Sequence, residues 1–366
     1  MNKILTRYML KRFLLIFIAS LISLTAIILL FDLVELLRAA GKKENIAFLD
    51  VLTLALLKSP QMIHIILPFV VLLSGMIFFL LFNRSSELIV VRSVGMSAWN
   101  VLLPLCILVL TIGVIDVTLF SPVSARTARR YERLEERLGM TTNTPFVWSE
   151  DGFWWRENTP EGTLVIRASQ VKQNKNDVIL TDVTLMNLSD QDLSKLQLET
   201  KKARLEDGAL KIDTAFSIDP LKENITKKKN ISIKTSLNLE RLLEKFDEPQ
   251  TMSFWRFPHF IQFLKKAGFS VKAHEMYFYE LTAFPLILVA MLMISALFTL
   301  PPSNRRGGVF VRVLMALGCG FSLYFFTRIT NVMGQSDSLP MVLAAWGPPL
   351  VCIPLCVSML LHLEDG

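Results

Sequence analysis

Along this chain of 366 residues the apolar positions are blocked rather than spread. Three long apolar runs crowd the first third and three more the last quarter: about 13–36, 60–82, 98–120, 278–301, 309–333 and 340–362. Each supplies the roughly 20 apolar residues that a helix needs to cross the hydrocarbon core of a bilayer. The pattern predicts an α-helical bundle of six spans, and an even number leaves both termini on one side. Pro60 and Pro68 in the second run predict a kink or bend there. The first run ends in an amphipathic tail, DLVELLRAAG.

The polar middle follows a different period. PFVWS, GFWWREN, GTLVIRASQV, DVILTDVTLMNL, SKLQLETKKARLE, ALKIDTAFSID and NISIKTSLNL alternate apolar and polar residues, with turn residues between them. Seven or more short strands at this spacing predict a sandwich or jelly-roll-like β-domain. The run Lys227–Lys229 reads as a solvated hairpin turn. LERLLEKF and SFWRFPHFIQFLKKAG read as short helices leading to the fourth span. The chain thus divides into spans one to three (1–121), a β-domain with flanking helices (122–276) and spans four to six (277–366).

Composition agrees with that division. Hydrophobic residues make up 52% and charged residues 19%, against about 25% charged in soluble domains. Net charge is +7, and its placement orients the bundle. Lys3, Arg7, Lys11, Arg12, Arg84, Arg92, Arg305 and Arg306 all fall on one side, which the positive-inside rule makes cytoplasmic. The β-domain then lies outside the cytoplasm. The basic start resembles a secretory signal, but Phe13–Phe31 is longer than a cleavable core of about 7–15 residues. Cys106, Cys319, Cys352 and Cys356 all lie in apolar runs, so no disulfide framework or zinc pattern supports the β-domain.

Catalytic and cofactor signatures are absent from the sequence. There is no phosphate-cradling G-x-x-x-x-G-K-[ST], no HExxH and no G-x-S-x-G. His64, His259, His274 and His362 are scattered. Nothing points to an enzyme, a metal, a cofactor or a nucleic acid, so any energy input comes from an ion gradient or a partner. Ionisable residues inside spans are functional candidates by default. Here Asp32 and Glu35 lie toward the outer end of span one, Asp116 toward that of span three, and Arg328 in the outer half of span five. None forms a midplane proton relay.

Two further stretches carry candidate chemistry. SPVSARTARRYERLEERLG continues span three as a helix, with Arg126, Arg129, Arg130, Arg133 and Arg137 on one broad face. Arg38, Lys42 and Lys43 sit at the same membrane level. Such a face suits bidentate binding of phosphate; it also suits a solvated helix with internal pairs to Glu132, Glu135 and Glu136. NRSSELIVVRSVGMS, from Asn83 to Ser97, is too charged to span a membrane and too apolar for an idle loop. A cap at Asn83 or Ser85, Glu87 in the first turn and Gly95 at the end predict a short cytoplasmic helix over about 84–95. Leu88, Val91 and Val94 share one face, suited to a partner's groove.

RSSELIVVRSVGMS resembles the S-E-[LI]-x-V-[ML]-x-x-x-G-x-[ST] segment of the LptF/LptG permeases of the bacterial lipopolysaccharide exporter. ILPFVVLLSGMIFFL, NRRGGVFVRVLMALGCGFSLYF and LPMVLAAWGPPL are similar to that family's spans. The order of parts matches over almost the whole chain, and ILTRYMLKRFL, LLRAAG and SELIVV lean to the LptG branch.

The resemblance implies a multi-pass protein of the bacterial inner membrane with a periplasmic domain and no catalytic residues. It implies a paralogous LptF-like permease partner, two copies of an LptB-like ATPase, an LptC-like bitopic protein and lipopolysaccharide as substrate. It places Glu87 at the ATPase, and Arg84, Leu88, Val91 and Arg92 of the same segment are candidates beside it. It places Arg38 and Arg129 at the lipid head group; Arg130 and Arg133 join them by helical spacing, Lys42 and Arg328 are further head-group candidates, and Phe31, Asp32 and Glu35 are candidates for the cavity or gate. One departure stands out. Asp32 occupies a position where well-known family members carry a lysine, and an anion there would repel a lipid phosphate. The competing expectation is a membrane-anchored envelope scaffold or sensor, which accounts for the β-domain but not for six spans or the cationic mouth.

Overall fold

A computed structural model describes residues 3–41, 46–84, 99–140, 146–149, 152–159, 162–174, 177–189, 192–206, 209–219, 224–235, 249, 252–267, 271–300 and 308–365. They form two compact units: 1–140 with 249–257 and 272–366, and 141–248 with 258–271.

The first unit is helical. Its elements are α1 (Lys3–Ala40), α2 (Phe48–Arg84), α3 (Trp99–Ile115) running through a π-helical turn (Asp116–Phe120) into α4 (Ser121–Arg137), α6 (Lys272–Thr299), α7 (Gly308–Gln335) and α8 (Met341–Asp365). Six helices, counting α3–α4 as one, are long and apolar enough to cross a membrane, as the hydropathy pattern predicts. α6 is the axis, with 78% of its apolar window buried, whereas α1 buries only 11% and α7 only 17%.

Close approach around that axis depends on small residues. A Cβ on Gly113 of α3 would stand 2.7 Å from the Pro285 Cα of α6, and one on Gly75 of α2 would stand 2.2 Å from Ser295 Oγ. Without a hydrophobic drive between helices in lipid, such contacts carry much of the packing. α2 runs unbroken through Pro60 and Pro68. Pro60 lacks the N–H that would reach the carbonyl four residues back, at Leu56; the Ser59 hydroxyl donates to that carbonyl at 2.8 Å. A freed backbone acceptor is thereby satisfied within the helix.

The second unit is a seven-stranded antiparallel sheet whose strands pair in chain order: β1 (Phe146–Ser149), β2 (Gly152–Thr159), β3 (Gly162–Asn174), β4 (Asp177–Ser189), β5 (Asp192–Glu206), β6 (Ala209–Asp219) and β7 (Asn224–Lys234). Alternate residues Trp155, Leu164, Ile166, Leu185, Leu198 and Ile212 build one buried face. That core is closed by Leu264 and Phe260 of α5 (Phe257–Ala267). Asp182 and Asn230 adopt positive φ of 50° and 53°, where the regular register is interrupted. Asn and Asp tolerate that left-handed geometry better than most residues.

One expectation for this unit is corrected. Lys227–Lys229 do not form a turn; they lie inside β7, paired with Phe216, Ala215 and Thr214 of β6. Consecutive lysines break the alternation that marks a strand in sequence. β7, however, is an edge strand, where lysines discourage further pairing. LERLLEKF lies outside the described residues.

Candidate functional site

At the end of the bundle where α1 terminates, α4 shows two faces. Tyr131, Leu134, Leu138 and Met140 pack against Leu36, Ala40, Val51, Leu54 and Ala55 of α1 and α2. This apolar stripe holds the helix down. It leaves Arg126, Arg130, Arg133 and Arg137 exposed and Arg129 half-buried. Among the described residues no carboxylate pairs with these arginines. The sequence-expected face is therefore present, and its charges are uncommitted there. Arg38, in the last turn of α1, is exposed beside the same cluster, as is Glu35. Phe31 is 74% exposed. Lys42 lies outside the described residues.

Asp32 is not the bare anion that the sequence suggests. It is buried, and Lys58 of α2 forms an ion pair with it. The Lys58 ammonium also lies 6.0 Å from the centre of the Tyr131 ring, and the Tyr131 hydroxyl donates to Glu135 Oε1 at 3.3 Å. α1, α2 and α4 are tied by this chain of contacts. A buried carboxylate without such a partner costs several kcal/mol, so the lysine on α2 compensates the aspartate on α1.

Arg328 belongs to a different cluster. Its Nη1 donates to Glu280 Oε1 of α6 at 3.0 Å, and its guanidinium lies 5.3 Å from the Tyr324 ring centre. Arg328 and Glu280 line a cavity of about 300 Å³ with His64 of α2, Asp116 and Tyr277. Asp116 is delivered by the π-helical turn, a geometry often found at functional sites. It is buried, and its Oδ2 lies 2.5 Å from His64 Nδ1. The His64 ring stacks on Phe284 at 4.2 Å.

At the opposite end of the bundle, Asn83 donates to the carbonyls of Thr299 at 2.7 Å and Leu300 at 2.9 Å. Those carbonyls close α6, and helix ends leave such acceptors without intrahelical donors. α2 and α6 are therefore pinned where the chain enters the expected coupling segment. Arg84 is exposed at the end of α2. Glu87, Leu88, Val91 and Arg92 lie outside the described residues.

Lys58, His64 and Glu280 were not singled out by sequence reasoning as site residues. Each is a lone polar residue inside an apolar helix, with its partner 26, 52 or 48 positions away. The only local signal is polarity within a span, which for Asp32 and Asp116 was noticed and for their partners was not.

Residues 7–362 match the family described as Lipopolysaccharide export system permease LptF/LptG. The chain is also 23% identical over 374 residues to the Lipopolysaccharide export system permease protein LptG of Haemophilus influenzae, covering 99% of each chain. Six helices long and apolar enough to cross a membrane, an antiparallel sheet unit inserted in chain order between the third and the fourth, and a match reaching from the first helix into the last place this chain in the LptF/LptG family of lipopolysaccharide export permeases.

Proposed function

We propose that this protein is one permease half of an ABC exporter that takes lipopolysaccharide from the inner membrane and passes it to a periplasmic bridge. The observation that carries this reading is the uncommitted arginine face of α4, packed beside the exposed apolar end of α1. A cationic rim above an apolar wall suits an amphiphile with a phosphorylated head and acyl tails. Arg38, Lys42, Arg129, Arg130 and Arg133 meet the head group, and Lys58 offers a further cation whose ammonium retains donors beyond its bond to Asp32. Arg328, already held by Glu280, contributes from α7.

Energy comes from a partner ATPase, in two LptB-like copies, docked on the segment from Arg84 to about Gly95, with Glu87 as the main contact. The second permease half is LptF-like, an LptC-like bitopic protein borders the gate, and the sheet unit stands in the periplasm as the first acceptor of the lipid. The decisive experiment is photocrosslinking from Phe31 and Arg38 positions in cells. Capture of lipopolysaccharide is expected. If both positions stay blank while the protein is assembled in the membrane, the substrate assignment fails.

A further inference from the structure

Of the residues that line the cavity between α2, the π-helical turn, α6 and α7, only Arg328 has a role above. The cavity nonetheless concentrates the most costly groups in the bundle. A buried aspartate and an imidazole inside a span are expensive to place, and such groups are retained for function by default. What could occupy the cavity follows from its charge, its unspent hydrogen bonds and its size.

Charge comes first. Asp116 and Glu280 offset Arg328 and His64 in either form of the imidazole, so the lining offers a phosphate no net positive charge. A cation is little better served: each carboxylate is already engaged, one by His64 and the other by Arg328. No group of three or more metal-ligating side chains occurs among the described residues. A neutral ligand remains.

The unspent hydrogen-bonding capacity is large and mixed. An ionised Asp116 only accepts, so His64 Nδ1 is the donor; the other ring nitrogen, Nε2, accepts in the neutral ring and donates in the charged one. The His64 side chain is 25% exposed, and Nε2 has no partner among the described residues. The second oxygens of both carboxylates accept as well. The Tyr277 hydroxyl, which has no partner among the described residues, and the remaining guanidinium N–H groups of Arg328 donate. Interleaved donors and acceptors at fixed positions match hydroxyl groups, each of which does both. At about 300 Å³, the space lies at the lower end of small-molecule pockets, roughly 300–1,000 Å³. That is room for a sugar ring and not for a bundle of acyl chains.

We propose that this cavity is a saccharide subsite, binding an uncharged, hydroxyl-rich ring of the glycolipid head group. The proposal rests on the export reading above and deepens it. α4 links the two recognition elements: Ser124 lines the cavity, and Arg129 and Arg133 stand about 8 and 14 Å further along the same helix at its 1.5 Å rise per residue. Hydroxyls are read at the start of α4 and phosphates along its exposed face. Glu280 and Arg328 then act as a sugar-binding pair, each holding the other in position.

The test uses the full chain in nanodiscs of phosphatidylethanolamine, free of glycoside detergents. A benzoylphenylalanine replaces Gln335, an exposed residue lining the cavity. The probe is a phosphate-free, acylated glucosamine disaccharide, with the unacylated disaccharide as competitor. Capture of the probe is expected. Tyr277→Phe, which keeps the ring, weakens it about three- to tenfold, the effect of one lost hydrogen bond. Ala273→Trp, which fills the cavity from an exposed position, abolishes it.

Capture of the acylated form with no effect of the free sugar assigns the site to a lipid-borne saccharide, and competition by the free sugar assigns it to saccharide in either form. Both support the subsite. Undiminished capture in Ala273→Trp and Tyr277→Phe overturns it, as does capture restricted to phosphorylated lipid. A parallel crosslink of lipopolysaccharide from Phe31 separates the readings: success there with a blank cavity sinks the subsite alone, and failure at both positions sinks the export reading with it.

Discussion

Gly113→Ala and Gly318→Ala are the same chemical change in spanning helices, and the structure gives them opposite signs. Both replace glycine by the best helix former, a common gain of up to about 1 kcal/mol. At Gly318 a Cβ meets nothing within 4 Å, so that gain is kept. At Gly113 the new Cβ would stand 2.7 Å from Pro285 Cα, 3.0 Å from Pro285 Cβ and 3.1 Å from Leu288 Cδ1. The nearest obstacle is backbone, fixed in the most buried helix of the bundle, and it cannot rotate away. α3 and α6 must separate, at an overpacking cost of about 1–3 kcal/mol. Because the propensity gain is common to both, the difference between the variants isolates that cost. Reversible unfolding by sodium dodecyl sulfate in bicelles measures it. Gly318→Ala should equal or exceed the parent, with Gly113→Ala about 1–3 kcal/mol below Gly318→Ala. Equal stability of the two would refute the α3–α6 contact.

Asp32→Ala should destabilise more than the double variant Asp32→Ala/Lys58→Met, because the single change strands a half-buried ammonium; a coupling of about 0.5–3 kcal/mol in a double-mutant cycle checks this, and additivity would deny the pair. At Gly75 the obstacle is a side chain, so Gly75→Ala should be destabilising and Gly75→Ala/Ser295→Ala should recover part of the loss in the same unfolding assay. Asn83→Leu removes two hydrogen bonds to the end of α6, about 0.5–1.5 kcal/mol each, and should speed amide exchange at Thr299 and Leu300. Glu87→Lys should abolish co-purification of the partner ATPase while leaving the permease in the membrane; normal recovery of the ATPase would remove Glu87 from the coupling role.

The parts of this molecule that local pattern determines were legible, and the parts made by encounter were not. Hydropathy over 20-residue windows places all six spans, because in lipid the backbone must satisfy itself locally as helix. Alternation finds the strands for the same reason: GFWWREN and ALKIDTAFSID each show one apolar face to a core. Lys227–Lys229 escaped because three consecutive lysines hide the alternation that marks a strand in sequence, although they pair within β7. The π-helical turn at Asp116 leaves no trace in composition; DVTLF reads as ordinary helix, and only the backbone shows how the aspartate reaches His64.

Asp32 shows what such encounters change. Against the basic residue of the resembled family, an aspartate at this place implied either a reassigned lipid contact or a less phosphorylated lipid. Its pairing with Lys58 makes the second step unnecessary. A cation stands on α2, one helix away, with the aspartate holding the ammonium in place. An ion pair has no net charge, so on the export reading proposed above the long-range attraction for an anionic head group would fall to the arginines of α4. Lys58 would then act only at contact, where a phosphate could take up the ammonium donors that Asp32 leaves unused. It follows that neutralising Lys58 should speed release of a phosphorylated lipid with little change in its association rate, whereas neutralising Arg130 and Arg133 together should lower the association rate and its dependence on salt.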